Sequence, residues 1–345
     1  MSNSLLHTPL TELLECRYPI LQAGMGGVAR AELVTAVVTH GGYGFLGMVR
    51  ERPELIAGEI ARIRDHTDRP FGVNLIPAGT DPVLLEEELA VCFEARVHSL
   101  CFFWEVRPDL VQRARAAGCR VLYQVGSAEE AVAAAEAGAQ AVIAQGFEAG
   151  GHVRGTVTSL VLLPEVVAAV KVPVVASGGF ASGASLVAAL ALGAHGIHCG
   201  TAFLATAESF AHPLHKQKII SARSTDTVYT DVFAINWPPR SPVRVIANAI
   251  TAQFQSQLLG HSPEAFDREA VAWEAGRPVY KFSTDSPLKT TTGDLEVLPA
   301  FAGQVAGSLH DLPTAGERLE RMVREAETTL ERLQALVNRE LTRPL

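Results

Sequence analysis

Cysteine is scarce in this chain. Five residues (Cys16, Cys92, Cys101, Cys119 and Cys199) are scattered over 345 positions, with no Cys-x-x-Cys pair. That pattern argues against a disulfide framework or a zinc site and makes a reducing compartment the default. Long apolar runs are missing as well, and none approaches the roughly 18 residues that a membrane span needs. Residues 1–15 carry no basic n-region and only short apolar pairs, so a secretory signal is not expected. The cytoplasm is the expected location. Dense Lys/Arg clusters are also absent. With 29 Lys+Arg against 37 Asp+Glu the formal net charge is -8. Neither nucleic acid nor a membrane is an expected partner.

The chain is rich in apolar bulk. Hydrophobic residues make up 48% and charged residues 19%, which allows a large core and disfavours wholesale disorder. The length fits one large α/β barrel with an appendage, or two ordinary domains.

One rhythm runs from residue 19 to about 210. A short β-rich run ends in small or polar residues, an amphipathic helix follows, and then come glycine and the next strand. The predicted strands cover 19–23, 44–48, 71–75, 97–102, 120–125, 141–145, 172–177 and 196–201. Helices are predicted over 32–39, 53–65, 82–95, 108–117, 129–137, 163–170 and 185–192, where apolar residues recur at three- and four-residue spacing. Pro53, Pro82 and Pro108 mark helix starts, and Gly118, Gly138 and Gly193 mark helix ends. Eight apolar strands alternating with helices predict an α/β fold, a (β/α)8 TIM barrel over residues 1–210. A strand count does not prove closure, so a doubly wound open sheet stays an alternative.

The rhythm stops after Phe210. Residues 211–300 mix polar stretches with Trp237-Pro-Pro239 and a helix candidate over 243–259. They read as an inserted, mainly helical subdomain lying over the C-terminal mouth as a substrate lid. Residues 301–345 form a C-terminal segment. In it Leu319, Val323, Ala326, Leu330, Leu333 and Val337 define an amphipathic helix. Docking on the barrel is the plain expectation for that helix and a dimer seam the sharper one, so monomer and homodimer both stay open.

In a barrel of this kind function sits on the loops after the strands. The richest is Gln145-Gly-Phe-Glu-Ala-Gly-Gly-His-Val-Arg-Gly155. Gly150 and Gly151 there would let backbone approach a flat ligand, and His152 could exchange protons near neutral pH. After the predicted seventh and eighth strands come Ser177-Gly178-Gly179 and Gly200-Thr201, which read together as a phosphate cradle. The loop Ala23-Gly24-Met25 after the first strand lacks the dinucleotide fingerprint and suits a flat ring packed on small residues. Asn74 and Gln124 end the third and fifth strands as polar side chains that need partners. His212 and His215 have metal-ligand spacing but no third ligand, so a solvated turn is the expectation. His195 is expected to cap the preceding helix, while His198 could face either side.

Together these loops resemble the nitronate monooxygenase family of FMN-dependent TIM-barrel enzymes. The resemblance covers residues 18 to about 210. It rests on Pro19-Ile-Leu-Gln-Ala-Gly-Met25, Phe71-Gly-Val-Asn74, the His152 loop, Ala176-Ser-Gly-Gly-Phe180 and Leu192-Gly-Ala-His-Gly-Ile-His-Cys-Gly-Thr201. Arg244-Val-Ile-Ala-Asn248 and Ala302-Gly-Gln304 are weaker signatures. The resemblance implies that Ser177, Gly178, Gly179, Gly200 and Thr201 hold the FMN phosphate. It sets Ala23, Gly24, Met25, Asn74, Gln124, Gly150 and Gly151 around the flavin and makes His152 the catalytic base. The implied partners are a nitronate or nitroalkane and O2, with NAD(P)H a further candidate, since reductases of quinones and of enoyl-ACP share the barrel. Some family members carry a tyrosine near the Gly-Gln motif, and here the neighbouring aromatic is Phe301. A non-catalytic FMN- or phosphate-binding barrel is a third reading, which an ionisable His152 disfavours.

Overall fold

A computed structural model describes residues 6–341. Strands β1 (Ile20–Gln22), β2 (Tyr43–Gly47), β3 (Gly72–Leu75), β4 (Ser99–Phe103), β5 (Arg120–Val125) and β6 (Ala141–Gln145) are followed by a two-residue strand, β7 (Gly151–His152), and then by β8 (Val174–Ser177) and β9 (Ile197–Cys199). All but β7 form one closed parallel barrel, in which β9 returns to pair with β1 at Ile20↔Ile197. Closure removes the open-sheet alternative, and each predicted barrel strand overlaps an observed one.

Helices α2 (Ala31–Thr39), α3 (Pro53–Arg64), α4 (Pro82–Glu94), α5 (Pro108–Ala116), α6 (Ala128–Ala137), α7 (Ser159–Ala169) and α8 (Gly183–Ala191) connect the strands. A preceding helix, α1 (Pro9–Leu14), plugs the N-terminal end: Leu10 and Leu14 are fully buried with Leu21, Tyr43 and Phe45.

Strand periodicity fixes what the barrel holds. Side chains alternate between the two faces of a strand. Leu122, Ile143 and Val175 fill the interior. Gln124, Gln145 and Ser177 lie two residues further along the same strands and share that inward face. The interior is therefore apolar at the bottom and polar at the C-terminal mouth.

The segment after the barrel corrects one expectation. Besides the short helices α9 (Thr201–Leu204), α10 (Pro213–Ser221) and α11 (Ala249–Gln253) and three 3-10 turns, it contains five strands that a mainly helical reading does not foresee. These are β10 (Thr227–Thr230), β11 (Val243–Ile246), β12 (Ala270–Glu274), β13 (Arg277–Tyr280) and β14 (Thr292–Gly293). They make two three-stranded sheets, β10–β11–β7 and β13–β12–β14. The helix expected over 243–259 splits into β11 and α11. Val243 and Val245 alternate with Arg244 at strand period, and the Asn248 side chain caps α11 by accepting the Thr251 N–H at 3.0 Å. A short apolar run fits either period, and here the β-branched residues decide it.

The last helix, α12 (Ala315–Leu341), lies on α8 and α2. Leu319, Met322, Val323 and Ala326 are buried. A Cβ at Gly183 would sit 2.1 Å from the Met322 carbonyl oxygen, so the start of α8 abuts the α12 backbone. Two histidines depart from expectation. His215 is fully buried rather than on a solvated turn, and its Nε2 lies 2.9 Å from the Phe301 carbonyl oxygen. His195 caps no helix: its Nδ1 accepts the Val174 N–H at 3.1 Å, at the start of β8.

Candidate active site

His152 and every residue expected around the flavin or its phosphate line one cavity of about 570 Å³ at the C-terminal mouth of the barrel, whereas His195, His212 and His215 do not. Its floor is the polar inner layer. Asn74 donates from Nδ2 to the Cys101 carbonyl at 3.0 Å. A Cβ at Gly24 would meet the Asn74 Cβ at 2.2 Å, so the backbone after β1 rests on this side chain. His198 points inward and meets Ser177 Oγ at 3.1 Å through Nδ1. Its Nε2 is buried without a partner, and burial lowers the imidazole pKa to about 4.

The glycine loops after β8 and β9 border the same space. Gly178 and Gly179 have φ of 88° and 82°, in the left-handed region that glycine tolerates. At Gly200 an added Cβ would find only Ala23 Cβ and Met25 Sδ, both at 3.8 Å. Thr201 Oγ1 accepts the Gly303 N–H at 3.0 Å, which ties the loop after β9 to the C-terminal segment.

The His152 loop is held from several sides. Gln145 at the end of β6 donates from Nε2 to the His152 carbonyl (2.8 Å) and accepts the Arg154 N–H at Oε1 (3.1 Å). Strand β7 pairs with β11 at His152↔Val243 and Gly151↔Arg244. The Arg154 guanidinium bonds Glu130 at 2.7 Å and lies 5.0 Å over the Trp104 ring. Gly150 lines the cavity and also serves loop packing. A Cβ there would stand 2.3 Å from Gly303 N and 2.4 Å from Ala302 C, so its bareness serves loop-on-loop packing. Gly151, with φ 71°, has no atom near its missing Cβ and faces open space.

His152 itself sits in an aromatic cage. The Trp237 ring stacks on it, with centroids 3.6 Å apart and 21° between planes. Trp104 meets it edge-on at 6.1 Å and Phe301 at 6.0 Å. The residue keeps partial exposure, but its Nε2 is buried and has no partner. Burial first, and the Arg50 charge second, push the imidazole pKa well below its ordinary value. At neutral pH the ring is uncharged, and its unpartnered nitrogen can act as an acceptor.

Several lining residues escape a reading of the strand ends. Arg50, Trp237, Asp285 and Arg277 all reach the cavity, and the last three come from the segment after the barrel. Trp237-Pro-Pro239 is conspicuous in the sequence, but nothing there tells which loop it covers. Trp104 has φ 84°, an unusual conformation for a bulky residue that only coordinates reveal.

A closed parallel barrel with a cavity at its C-terminal mouth has the form of an α/β-barrel enzyme. The chain belongs to the nitronate monooxygenase family, whose sequence profile matches residues 7–83 and 79–325. It is 32% identical to a (3aS,4S,5R,7aS)-5-hydroxy-7a-methyl-1-oxo-octahydro-1H-indene-4-carboxyl-CoA dehydrogenase of Mycobacterium tuberculosis, over 96% of this chain and 99% of that protein. Among solved structures, FabK from Thermotoga maritima superposes with a TM-score of 0.82 at 31% identity, covering 96% of this chain and 99% of that one. A nitroalkane oxidase from Streptomyces ansochromogenes gives 0.78 at 30% identity, covering 94% and 99%.

Proposed function

We propose that the protein is an FMN-dependent nitronate monooxygenase that oxidises alkyl nitronates and nitroalkanes with O2 to carbonyl compounds and nitrite. The observation that carries this reading is His152, an uncharged imidazole whose buried Nε2 lacks a partner beside a cavity of glycine backbone and small polar side chains. A nitroalkane is a weak carbon acid. With its proton on Nδ1, the imidazole can take the α-proton at Nε2, leaving a nitronate anion and an imidazolium. The apolar cage of Trp237, Trp104 and Phe301 keeps bulk water from the resulting ion pair and strengthens its attraction.

The residues fit a phosphorylated flavin. Open space lies where Gly151 and Gly200 lack a Cβ, and the buried His198 Nε2 is free to meet a ligand. Ser177, Gly178, Gly179, Gly200 and Thr201 would hold the phosphate. Ala23, Gly24, Met25, Asn74, Gln124, Gly150 and Gly151 would surround the ring. Bound flavin supplies the redox chemistry and the protein supplies orientation, charge and exclusion of water.

A second reading, an FMN-dependent NAD(P)H reductase or a dehydrogenase of acyl thioesters, is favoured by the near-full-length relative named for a carboxyl-CoA substrate. The cavity also runs out to the exposed Arg277 and Pro278 of β13, which leaves room for a longer ligand. Anaerobic mixing separates the two. Bleaching of the yellow protein by an alkyl nitronate supports the monooxygenase, and bleaching by NADH or NADPH alone overturns it. The mass of the cofactor released by heat identifies FMN or FAD.

A further inference from the structure

Arg50 lies three residues after the end of β2, at the mouth of the barrel, and the chemistry above gives it no direct role. Its backbone is unusual. It has φ 60°, in the left-handed region that costs free energy for any residue with a Cβ. Such a conformation persists only where its surroundings over-determine it, and it clusters at functional sites. Here the support is Glu88 of α4, fully buried, whose Oε1 accepts the Glu51 N–H at 3.0 Å just after the turn.

The guanidinium is equally fixed. It donates to the Asn236 carbonyl at 3.0 Å and to Asp285 Oδ1 at 3.2 Å, both on the lid. It lies 5.8 Å over the Trp237 ring, the ring that stacks on His152. Its Nε–H is buried and has no acceptor. A strut between barrel and lid needs neither a strained backbone nor an orphaned donor. A buried unsatisfied N–H on a charged group is costly, and an acceptor on a ligand removes that cost.

Arg50 shares an ion pair with Asp285 at 3.2 Å, and the remaining charges lining the cavity are engaged elsewhere or lie further out. Glu51 faces Arg30 at 3.5 Å, and Glu274 accepts the hydroxyls of Thr290 and Thr291. Arg277 is exposed on β13. Arg50 is the cation close enough to lower the pKa of His152.

We propose that Arg50 is the anion-holding residue of this site, donating through its guanidinium to a planar monoanion with two oxygens bound beside His152. The shape and charge are those of a nitronate, so the identity of the anion rests on the proposed function. The recognition itself does not, because a carboxylate presents the same pair of oxygens. Guanidinium matches that geometry in a way an ammonium cannot.

The probe is butyrate, which has the shape of the 1-nitropropane nitronate, titrated calorimetrically into the flavin-loaded protein beside neutral butyramide. Wild type is expected to bind butyrate and not butyramide. Arg50→Gln should weaken butyrate about tenfold or more, the scale of one lost charge-assisted hydrogen bond. Asp285→Asn removes the carboxylate charge that pairs with Arg50 and keeps the cation, so it should bind butyrate at least as tightly as wild type. In turnover, Arg50→Gln should raise KM for the nitronate far more than for the neutral nitroalkane. No butyrate binding by wild type, or equal losses in Arg50→Gln and Asp285→Asn, would overturn the proposal in favour of a strut. If Arg50→Gln does not fold, Arg50→Lys decides, since unchanged butyrate affinity without the planar fork also overturns it. Butyrate binding that depends on Arg50, in a protein that does not oxidise nitronates, leaves this inference standing and removes the proposed function.

Discussion

The indole of Trp237 covers the imidazole of His152, ring on ring, at 3.6 Å. The two residues come from opposite ends of the architecture, one from a barrel loop and one from the lid. Their contact puts the lid in charge of the proposed base. Trp237→Ala should uncover Nε2 and let its pKa rise toward the ordinary value of about 6.5. A base works only when unprotonated, so the acidic limb of kcat/KM on a neutral nitroalkane should move to higher pH. A limb that stays in place would show that Trp237 does not set the burial of His152.

Removing the base has a split consequence. His152→Ala should retain flavin but lose turnover of neutral nitroalkane by roughly 10²–10⁴-fold, the usual worth of a positioned base. Pre-formed nitronate needs no deprotonation and should be much less affected. Equal activity of mutant and wild type on the neutral substrate would rule out His152 as the base.

The loop that carries His152 is braced by one side chain from inside the barrel. Gln145→Leu keeps much of the volume and removes both hydrogen bonds to the loop. It leaves the His152 carbonyl and the Arg154 N–H without their partner, at a cost of about 1–3 kcal/mol each where they stay buried. Hydrogen exchange at the Arg154 amide should accelerate and kcat should fall. Unchanged protection of that amide would mean that the β7–β11 pairing is sufficient by itself.

Two adjacent glycines should respond differently. At Gly150 an added methyl meets backbone atoms of Ala302 and Gly303 that have no rotamer to yield, so Gly150→Ala should destabilise by ~3 kcal/mol or more. At Gly151 the space is open and only the left-handed backbone opposes a Cβ, so Gly151→Ala should cost about 1–2 kcal/mol. Denaturant unfolding of both mutants checks the order, and a reversed order would contradict the loop packing.

Three histidines with buried ring nitrogens set a stability limit on the acid side. Burial lowers the pKa of His198 and of His215 to about 4, and that of His152 well below its ordinary value. Above about pH 6.5 each is neutral in both folded and unfolded chains and costs nothing. As pH falls below that, the unfolded chain takes up protons that the folded one refuses. Stability should therefore decline from about pH 6.5 down to about 4. His215→Gln, which lies outside the cavity, should flatten part of that decline in a urea-unfolding series. An unchanged slope would show that His215 titrates normally.

Much of this site could be read in the chain because barrel strands obey a period of two. Asn74 and Gln124 stand out as polar residues at the ends of apolar strands, and the same alternation explains why they face the cavity. The glycine loops after the last two barrel strands are legible for a similar reason: their place in the repeat fixes which mouth they occupy. The lid is harder to read. Val243, Ile246 and Ile250 stand at three- and four-residue spacing and fit a helix face as well as a strand followed by a short helix, and pairing with β10 and β7 resolves them. His215 looks solvated until the Phe301 carbonyl arrives from 86 positions along the chain. Arg50 is an ordinary strand-end arginine in one dimension. Its left-handed backbone and its neighbour Trp237 exist only in three.

The bracing of the His152 loop by late residues has a temporal side. All eight barrel strands are complete by Cys199, whereas the loop's partners Val243, Arg244, Ala302 and Gly303 follow much later. A nascent chain emerging from the ribosome holds every stave of the cylinder before it holds the pieces that seat the proposed base. Synthesis would pass first through an inert barrel, and chemical competence would arrive only with the last part of translation.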